Sequence, residues 1–178
     1  MTTLAACRVG STYALAADRR ISFGDEYASL ADPKVRMAAP WLAIGAVGGS
    51  NAATWLRGVS IDEAPATRAD AQAHLDALGE AFRLAAKERE FGSAALVGIT
   101  PWGIVDFHSS GSVNFLDAAV SAQGSGGKIA QGAMYAIRDF HGDTLSAQAV
   151  ADYGVRTAAL YDAGTGGPVD VLTIAAAP

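Results

Sequence analysis

The sequence predicts an α+β fold, a four-layer αββα sandwich in which two stacked sheets are covered by helices on both outer faces. Segments typical of strands come first, followed by two helical segments, further strands, a second helical pair and a final strand. A chain of 178 residues, 51% of them hydrophobic, can bury one substantial core without disulfides. We therefore expect a single domain over residues 1–178.

The first two predicted strands form a hairpin. Residues 3–8 and 12–17 have a composition typical of strands, and the segment around Gly10 has the chemistry of a tight turn. A hairpin folded at this point returns Asp18 to the neighbourhood of Thr2.

A second pair of strands is predicted at 34–37 and 41–47. The later of the two is apolar and ends at Gly48-Gly49, where glycine interrupts a strand pattern. Ser50 or Asn51 can cap a helix that begins directly afterwards.

The remaining segments complete the alternation of strands and helices. Apolar residues at helical spacing predict helices at 69–89, 126–140 and 146–161. Strand composition predicts further strands at 93–99, 103–108, 118–123 and 169–175.

The charge of the chain argues against several kinds of partner. The formal net charge is −5, and the three lysines, Lys34, Lys87 and Lys128, form no basic cluster that nucleic acid or an anionic membrane would need. The single Cys7 cannot form an internal disulfide, and no apolar segment is long enough to cross a bilayer. We therefore expect a cytoplasmic protein.

The sequence predicts neither a metal nor a cofactor. The three histidines lack the spacing of metal ligands. The glycine-rich segment 124–127 differs from a nucleotide-binding loop, because Ala122 stands where that loop needs its first glycine and Ile129 follows Lys128.

Thr2 is the strongest candidate for a nucleophile. A threonine hydroxyl is protonated at neutral pH, so it attacks a carbonyl only when a positioned base removes its proton. The α-amine of Thr2, with a reference pKa of about 7.7–8.0, supplies such a base once Met1 has been removed. The small side chain of Thr2 should permit that removal, although a Thr2-Thr3 pair is in itself also typical of an ordinary strand start.

Four further residues could support this chemistry. A cation at Lys34 could lower the pKa of the hydroxyl, and Asp18 could hold that ammonium group in a buried ion pair. Gly48, at the end of an apolar strand, could let a substrate carbonyl approach backbone N–H groups that act as an oxyanion hole. Ser125, at the start of a helix, could bond the amine of Thr2.

Taken in order, these residues resemble the proteasome β-subunits and the HslV-type peptidases, which are N-terminal nucleophile hydrolases. The resemblance extends from Thr2 to about Ile174. It rests on Thr2, Ala17-Asp18-Arg19-Arg20, Lys34-Val35, Gly48, Gly124-Ser125-Gly126 and the Asp-x-x-Thr-Gly-Gly segment that begins at Asp162, where Thr165 replaces the serine of the family. The sequence departs from the family after Gly48, because no acidic residue occurs at 49–53.

The resemblance implies a threonine endopeptidase and assigns a role to each residue. Thr2 attacks the peptide bond, Gly48 stabilises the oxyanion, Lys34 and Asp18 tune the nucleophile, and Ser125, Asp162 and Thr165 orient the amine. The small Ala46 would line a roomy specificity pocket. The absence of a propeptide beyond Met1 resembles HslV-type and stand-alone bacterial homologues.

The resemblance also implies an assembly. It predicts a homo-oligomer of stacked rings, each of six or seven subunits, whose active sites face an enclosed chamber. The substrate would be a polypeptide, and an ATP-dependent unfoldase could serve as a partner.

Two other functions fit the same residues. The first is a small-molecule amidase or acyltransferase that uses the same nucleophile. The second is a subunit that forms rings without catalysing a reaction.

Overall fold

The computed structural model describes residues 2–23, 26–29, 33–48 and 50–178. In these segments it shows a mixed α and β fold in which all strand pairing is antiparallel. The strands are β1 (Thr3–Val9), β2 (Thr12–Asp18), β3 (Arg20–Phe23), β4 (Glu26–Ser29), β5 (Val35–Ala39), β6 (Leu42–Val47), β7 (Ala95–Thr100), β8 (Gly103–Phe107), β9 (Val113–Leu116), β10 (Val120–Gly124) and β11 (Val169–Ala175). The helices are α1 (Ser50–Arg57), α2 (Arg68–Glu88), α3 (Gly127–His141) and α4 (Ala147–Tyr161), with a 3-10 turn at Gly142–Thr144.

The strands form two larger sheets. The first has the order β10-β1-β2-β11, the second has the order β5-β6-β7-β8-β9, and β3 pairs with β4 in a separate ribbon. The β1–β2 hairpin is confirmed: Val9 lies opposite Thr12, and Gly10 adopts the positive φ of +54° that tight hairpin turns require. The hairpin therefore brings Asp18 back beside the start of β1.

Three hydrophobic clusters join the sheets and helices. One contains residues from both sheets, such as Leu4 and Leu15 of the first and Val97 of the second. Another joins the first sheet to α3 and α4, and the remaining cluster joins the second sheet to α1 and α2. Each sheet thus shares one cluster with the other sheet and another cluster with two helices.

The helix predictions agree with the structure to within one residue at most ends. The helix predicted at 69–89 begins at Arg68, because Thr67 and Asp70 form a capping box that sequence reasoning missed. Its predicted apolar face is buried, as the nearly inaccessible Leu75 and Phe82 show. No helix in the described segments is both long enough and apolar enough to span a bilayer.

Some strand predictions require correction. Three short strands, β3, β4 and β9, were not predicted, since four residues give little periodic signal. The strand predicted at 118–123 begins at Val120 and extends to Gly124, where it pairs with Thr3. The last strand occupies 169–175, as predicted.

Candidate active site

The start of β1 lies between two other strands of the first sheet. Leu4 pairs with Ala17 on one side and with Gln123 on the other. Thr2, the residue before the strand, is only 5% exposed, and its carbonyl oxygen accepts a hydrogen bond of 3.1 Å from the Ser125 N–H. The candidate nucleophile is therefore anchored through its own backbone. Met1 lies outside the described residues.

Asp18 lies at the end of β2 and is fully buried. Its Oδ1 accepts a hydrogen bond of 2.8 Å from the Thr3 N–H, and its Oδ2 accepts from the N–H groups of Arg20 at 2.9 Å and Gly166 at 3.1 Å. These N–H donors satisfy the acceptor oxygens of a carboxylate that has no access to water. Asp18 is therefore held by the main chain beside the first residues of β1.

Lys34 provides the matching cation. Lys34 is only 5% exposed. Its Nζ lies 3.3 Å from both carboxylate oxygens of Asp18 and also donates a hydrogen bond to the Arg20 carbonyl. Burial lowers the pKa of Lys34 from its ordinary value, although the Asp18 carboxylate opposes that shift. An ammonium group with a lowered pKa can attract a developing alkoxide and can give up a proton more readily than a solvated lysine.

A second polar group is centred on Asp162. The Oδ2 of Asp162, the residue that follows α4, accepts hydrogen bonds from the Ser125 hydroxyl at 2.7 Å and the Thr165 hydroxyl at 2.5 Å. Partial burial would raise the pKa of Asp162, but the hydrogen bonds from Thr165 and Ser125 outweigh it and lower the pKa below its ordinary value. Asp162 is therefore an anion at neutral pH, linked through Ser125 to the Thr2 carbonyl.

Gly124 makes the contact between β10 and Thr2 possible. Its φ of +98° is unfavourable for other residues, and a Cβ built on it would lie 1.8 Å from the Thr2 carbonyl oxygen. No side chain can occupy this position unless the strand moves. The glycine that precedes Ser125 thus sets how closely the backbone of Thr2 is held.

Gly48 directly follows β6, the strand that bonds the main chain of Lys34. The Ala46 N–H donates to the Lys34 carbonyl at 3.4 Å, and Gly48 follows two residues later with a φ of +109°. A Cβ on Gly48 would lie 2.6 Å from the Cα of Ala94, so both its conformation and its packing require glycine. Gly48 is exposed. Its neighbour Gly49 lies outside the described residues.

The structure groups the predicted residues into two sets around the start of β1. Lys34 and Asp18 form one set, which contacts Thr3 through Asp18. Ser125, Asp162 and Thr165 form the other set, which contacts Thr2 through the Ser125 N–H and Thr3 through Thr165. Ala46 is almost fully buried at 4% exposure.

Sequence reasoning missed three contributors to the site. The Thr3 hydroxyl bonds Thr165 at 2.6 Å, the Gly166 N–H bonds Asp18, and the Arg20 carbonyl accepts from Lys34. Two of these are main-chain groups, which carry no side-chain signal in a sequence. Thr3 could have been found, because a threonine directly after the candidate nucleophile shares its environment.

Solved structures with the same fold place the chain in a class of enzymes, the threonine peptidases. The chain is similar to BPH of Thiobacillus denitrificans, at 25% identity and a TM-score of 0.82, with 99% of each chain covered. It is also similar to the same protein in complex with epoxomicin, at 26% identity and a TM-score of 0.82, with 99% of this chain and 100% of that chain covered. Eukaryotic HslV from Trypanosoma brucei shares the fold at 22% identity and a TM-score of 0.75, with 97% and 99% covered. No family model and no curated protein matches the sequence.

Over nearly its full length, the chain is thus similar in structure to proteasome-type and HslV-type threonine peptidases. It is a threonine protease of the kind that forms a peptidase subunit of a ring protease.

Proposed function

We propose that this chain hydrolyses peptide bonds with the hydroxyl of Thr2, made N-terminal by removal of Met1. The observation that carries the proposal is the buried ion pair of Lys34 and Asp18, which a hydrogen bond from the Thr3 N–H ties to the residue next to Thr2. A buried lysine with a lowered pKa, paired with a carboxylate that bonds the main chain next to Thr2, is suited to activating a hydroxyl.

The first half of the reaction forms an acyl-enzyme ester. The neutral α-amine of Thr2 accepts the hydroxyl proton as the oxygen attacks the substrate carbonyl, and the Lys34 ammonium stabilises the developing alkoxide. The tetrahedral intermediate carries its negative charge on the former carbonyl oxygen, where the Gly48 N–H stabilises it. The leaving amine takes a proton from the Thr2 ammonium, which leaves the acyl group as an ester on the Thr2 oxygen.

The second half of the reaction releases the product. The Thr2 amine removes a proton from water, and the resulting hydroxide attacks the ester carbonyl. The intermediate again places its charge near Gly48, and its collapse returns the proton to the Thr2 oxygen. Ser125, Asp162 and Thr165 hold the amine in the orientation that both halves need.

The proposed assembly is a homo-oligomer of stacked rings of six or seven subunits, with a polypeptide substrate and room for an ATP-dependent unfoldase. Large exposed hydrophobic side chains on α3 and α4 support it, since a single chain leaves them in water: Tyr135, Phe140, Tyr153, Leu160 and Tyr161. We further propose a single four-layer αββα domain over residues 1–178 and a cytoplasmic location. Because BPH has been solved in complex with epoxomicin, we propose that this chain binds epoxomicin as well.

The test compares hydrolysis of fluorogenic peptides by the wild type and by Thr2→Ala, after mass spectrometry has identified the first residue of each protein. We expect the wild type to begin at Thr2 and to cleave peptides, and Thr2→Ala to lose at least about a thousandfold in kcat. Thr12→Ala, at the start of β2, is the matched control and should keep wild-type activity.

Three outcomes would overturn the proposal. The first is peptide cleavage by Thr2→Ala at the wild-type rate. The second is an intact Met1 in protein isolated from cells, which would favour a non-catalytic subunit. The third is an exposed Thr2 that cleaves no peptide, which would favour a small-molecule amidase.

A further inference from the structure

The side chain of Thr3 has an unusually complete set of partners for a residue outside the proposed catalytic group. Thr3 is fully buried, and its Oγ1 lies 2.6 Å from the Oγ1 of Thr165 and 3.1 Å from the N–H of Gly126. The space for this contact depends on Gly126, where a Cβ would lie 2.5 Å from the Thr3 Oγ1 and 2.8 Å from the Thr165 Oγ1.

The direction of these hydrogen bonds follows from counting protons. An ionised carboxylate only accepts, so the single hydroxyl proton of Thr165 points to Asp162 at 2.5 Å. Thr165 must then accept from Thr3, and Thr3 in turn accepts from the Gly126 N–H. The result is a one-way chain from Gly126 through two threonine hydroxyls to the Asp162 carboxylate. Such a chain polarises each of its members in a buried site.

The backbone of Thr3 reaches the other charged group of the site. Its N–H donates to the Oδ1 of Asp18 at 2.8 Å, and Asp18 pairs with Lys34. Thr3 is therefore bonded through its main chain to one carboxylate and through its hydroxyl to the other. Since Thr2 is joined covalently to Thr3, both sets of bonds fix where the nucleophile lies.

We propose that Thr3 is a positioning residue for the peptidase reaction, one that couples the Asp18–Lys34 pair to Asp162 and holds Thr2 between them. The inference rests on the proposed function. The hydroxyl of Thr3 is the required feature, because an apolar side chain of the same shape would leave the Gly126 N–H without its acceptor and the Thr165 hydroxyl without its donor. A small displacement of a catalytic group costs far more in turnover than in substrate binding.

The test compares Thr3→Val, Thr3→Ser and a matched control in steady-state peptide hydrolysis. Thr3→Val should lower kcat by about tenfold or more with KM within about twofold of the wild type, because positioning acts on the reacting atoms. Thr3→Ser restores the hydroxyl and should recover kcat to within about threefold.

The control is Thr100→Val, which removes another fully buried hydroxyl with two hydrogen bonds, to the Gly103 carbonyl and from the Trp102 N–H. It lies at the β7–β8 turn and should change the melting temperature while kcat stays at the wild-type value. Thr165→Val interrupts the same chain from its other side and should reproduce the loss of kcat even if Thr3→Val does not fold.

Equal kcat in the wild type and Thr3→Val would overturn the inference, as would equal losses of kcat in Thr3→Val and Thr100→Val, or no recovery with serine. These outcomes differ from failure of the proposed function. In that case Thr2→Ala would be as active as the wild type, or the wild type would cleave no peptide.

Discussion

The ion pair of Lys34 and Asp18 is stabilised by hydrogen bonds that a simple pair of charges would lack. Taking two charges out of water is costly, and their attraction offsets that cost only when the remaining donors and acceptors are satisfied. Three N–H groups and the Arg20 carbonyl meet this requirement. Removing one member therefore leaves a buried charge whose other bonds still hold it in place.

The first prediction concerns Lys34→Met. The variant should lose peptidase activity and should unfold with a free energy lower by roughly 3–5 kcal/mol, because Asp18 stays buried without its cation. Lys87→Met is the control, since Lys87 is exposed on α2 and its loss should change stability by less than about 0.5 kcal/mol. Urea unfolding of both variants measures the difference, and equal stabilities would contradict this description of the pair.

The second prediction concerns the pH dependence that Asp162 confers. Its folded pKa lies below the ordinary 3.8, so its contribution to stability is present above pH 3.8 and is lost as the pH falls through the folded pKa. Asp162→Asn should therefore be less stable than the wild type at pH 7, and the gap should close in acid. Denaturant unfolding over a pH series measures it; a gap that does not vary with pH would refute the assignment.

For single residues, the sequence predicts those candidates whose chemistry belongs to their side chains. Thr2, Asp18 and Lys34 can be predicted, because a nucleophile, a carboxylate and a scarce lysine are each visible as residue types. The Gly166 N–H and the Arg20 carbonyl could not be predicted, since every residue carries a main-chain donor or acceptor and only the fold selects which of them bond.

At the scale of secondary-structure elements, the contact between β1 and β10 depends on a close approach of two backbones. Thr3 pairs with Gly124, and the following Ser125 N–H bonds the Thr2 carbonyl. The register of this pair places Ser125 at the site, so a slip by one residue would turn the hydroxyls of the first sheet to its other face.

The third prediction tests this contact with Gly124→Ala. The new Cβ would lie 1.8 Å from the Thr2 carbonyl oxygen at a φ of +98°, so the strand must move and activity should fall by at least about a hundredfold. Gly10→Ala is the matched control. It shares a positive φ of +54° but meets nothing within 4 Å, so it should cost about 1–2 kcal/mol of stability with unchanged kcat.

Activity measurements with both variants at a temperature where each is folded separate the two effects. Full activity in Gly124→Ala would contradict the close approach of β10 to Thr2.

Predictability of the elements follows from their length and their periodicity. The long α2 and the hairpin of β1 and β2 were predictable from repeated apolar spacing and from turn chemistry. The edge strand β9 could not be predicted. Its four residues form a strand through their pairing with β8, which the residue types alone do not indicate.

For the whole molecule, the exposed surface of α3 and α4 is the feature that points beyond one chain. Phe140 is 86% exposed, and Leu160 and Tyr161 exceed three-quarters. Burying one such side chain fully in a subunit contact stabilises the assembly by roughly 1.5–3 kcal/mol, because the apolar surface is removed from water.

The fourth prediction is the mass of the particle. Native mass spectrometry should give twelve or fourteen times the mass of one chain, as stacked rings of six or seven subunits require. A double variant, Phe140→Asp with Leu160→Asp, should give smaller species, because charges replace the apolar surface. A wild-type protein that remains monomeric would contradict the assembly.

The most direct test of Thr2 as the nucleophile is to locate the acyl group during turnover. The protein is mixed with a slowly hydrolysed peptide ester, quenched in acid and digested, and the modified peptide is sequenced by mass spectrometry. We expect a single acyl group on the hydroxyl oxygen of an N-terminal Thr2. Turnover with the acyl group on another residue, such as Ser125, or with no acyl group on the protein, would contradict it.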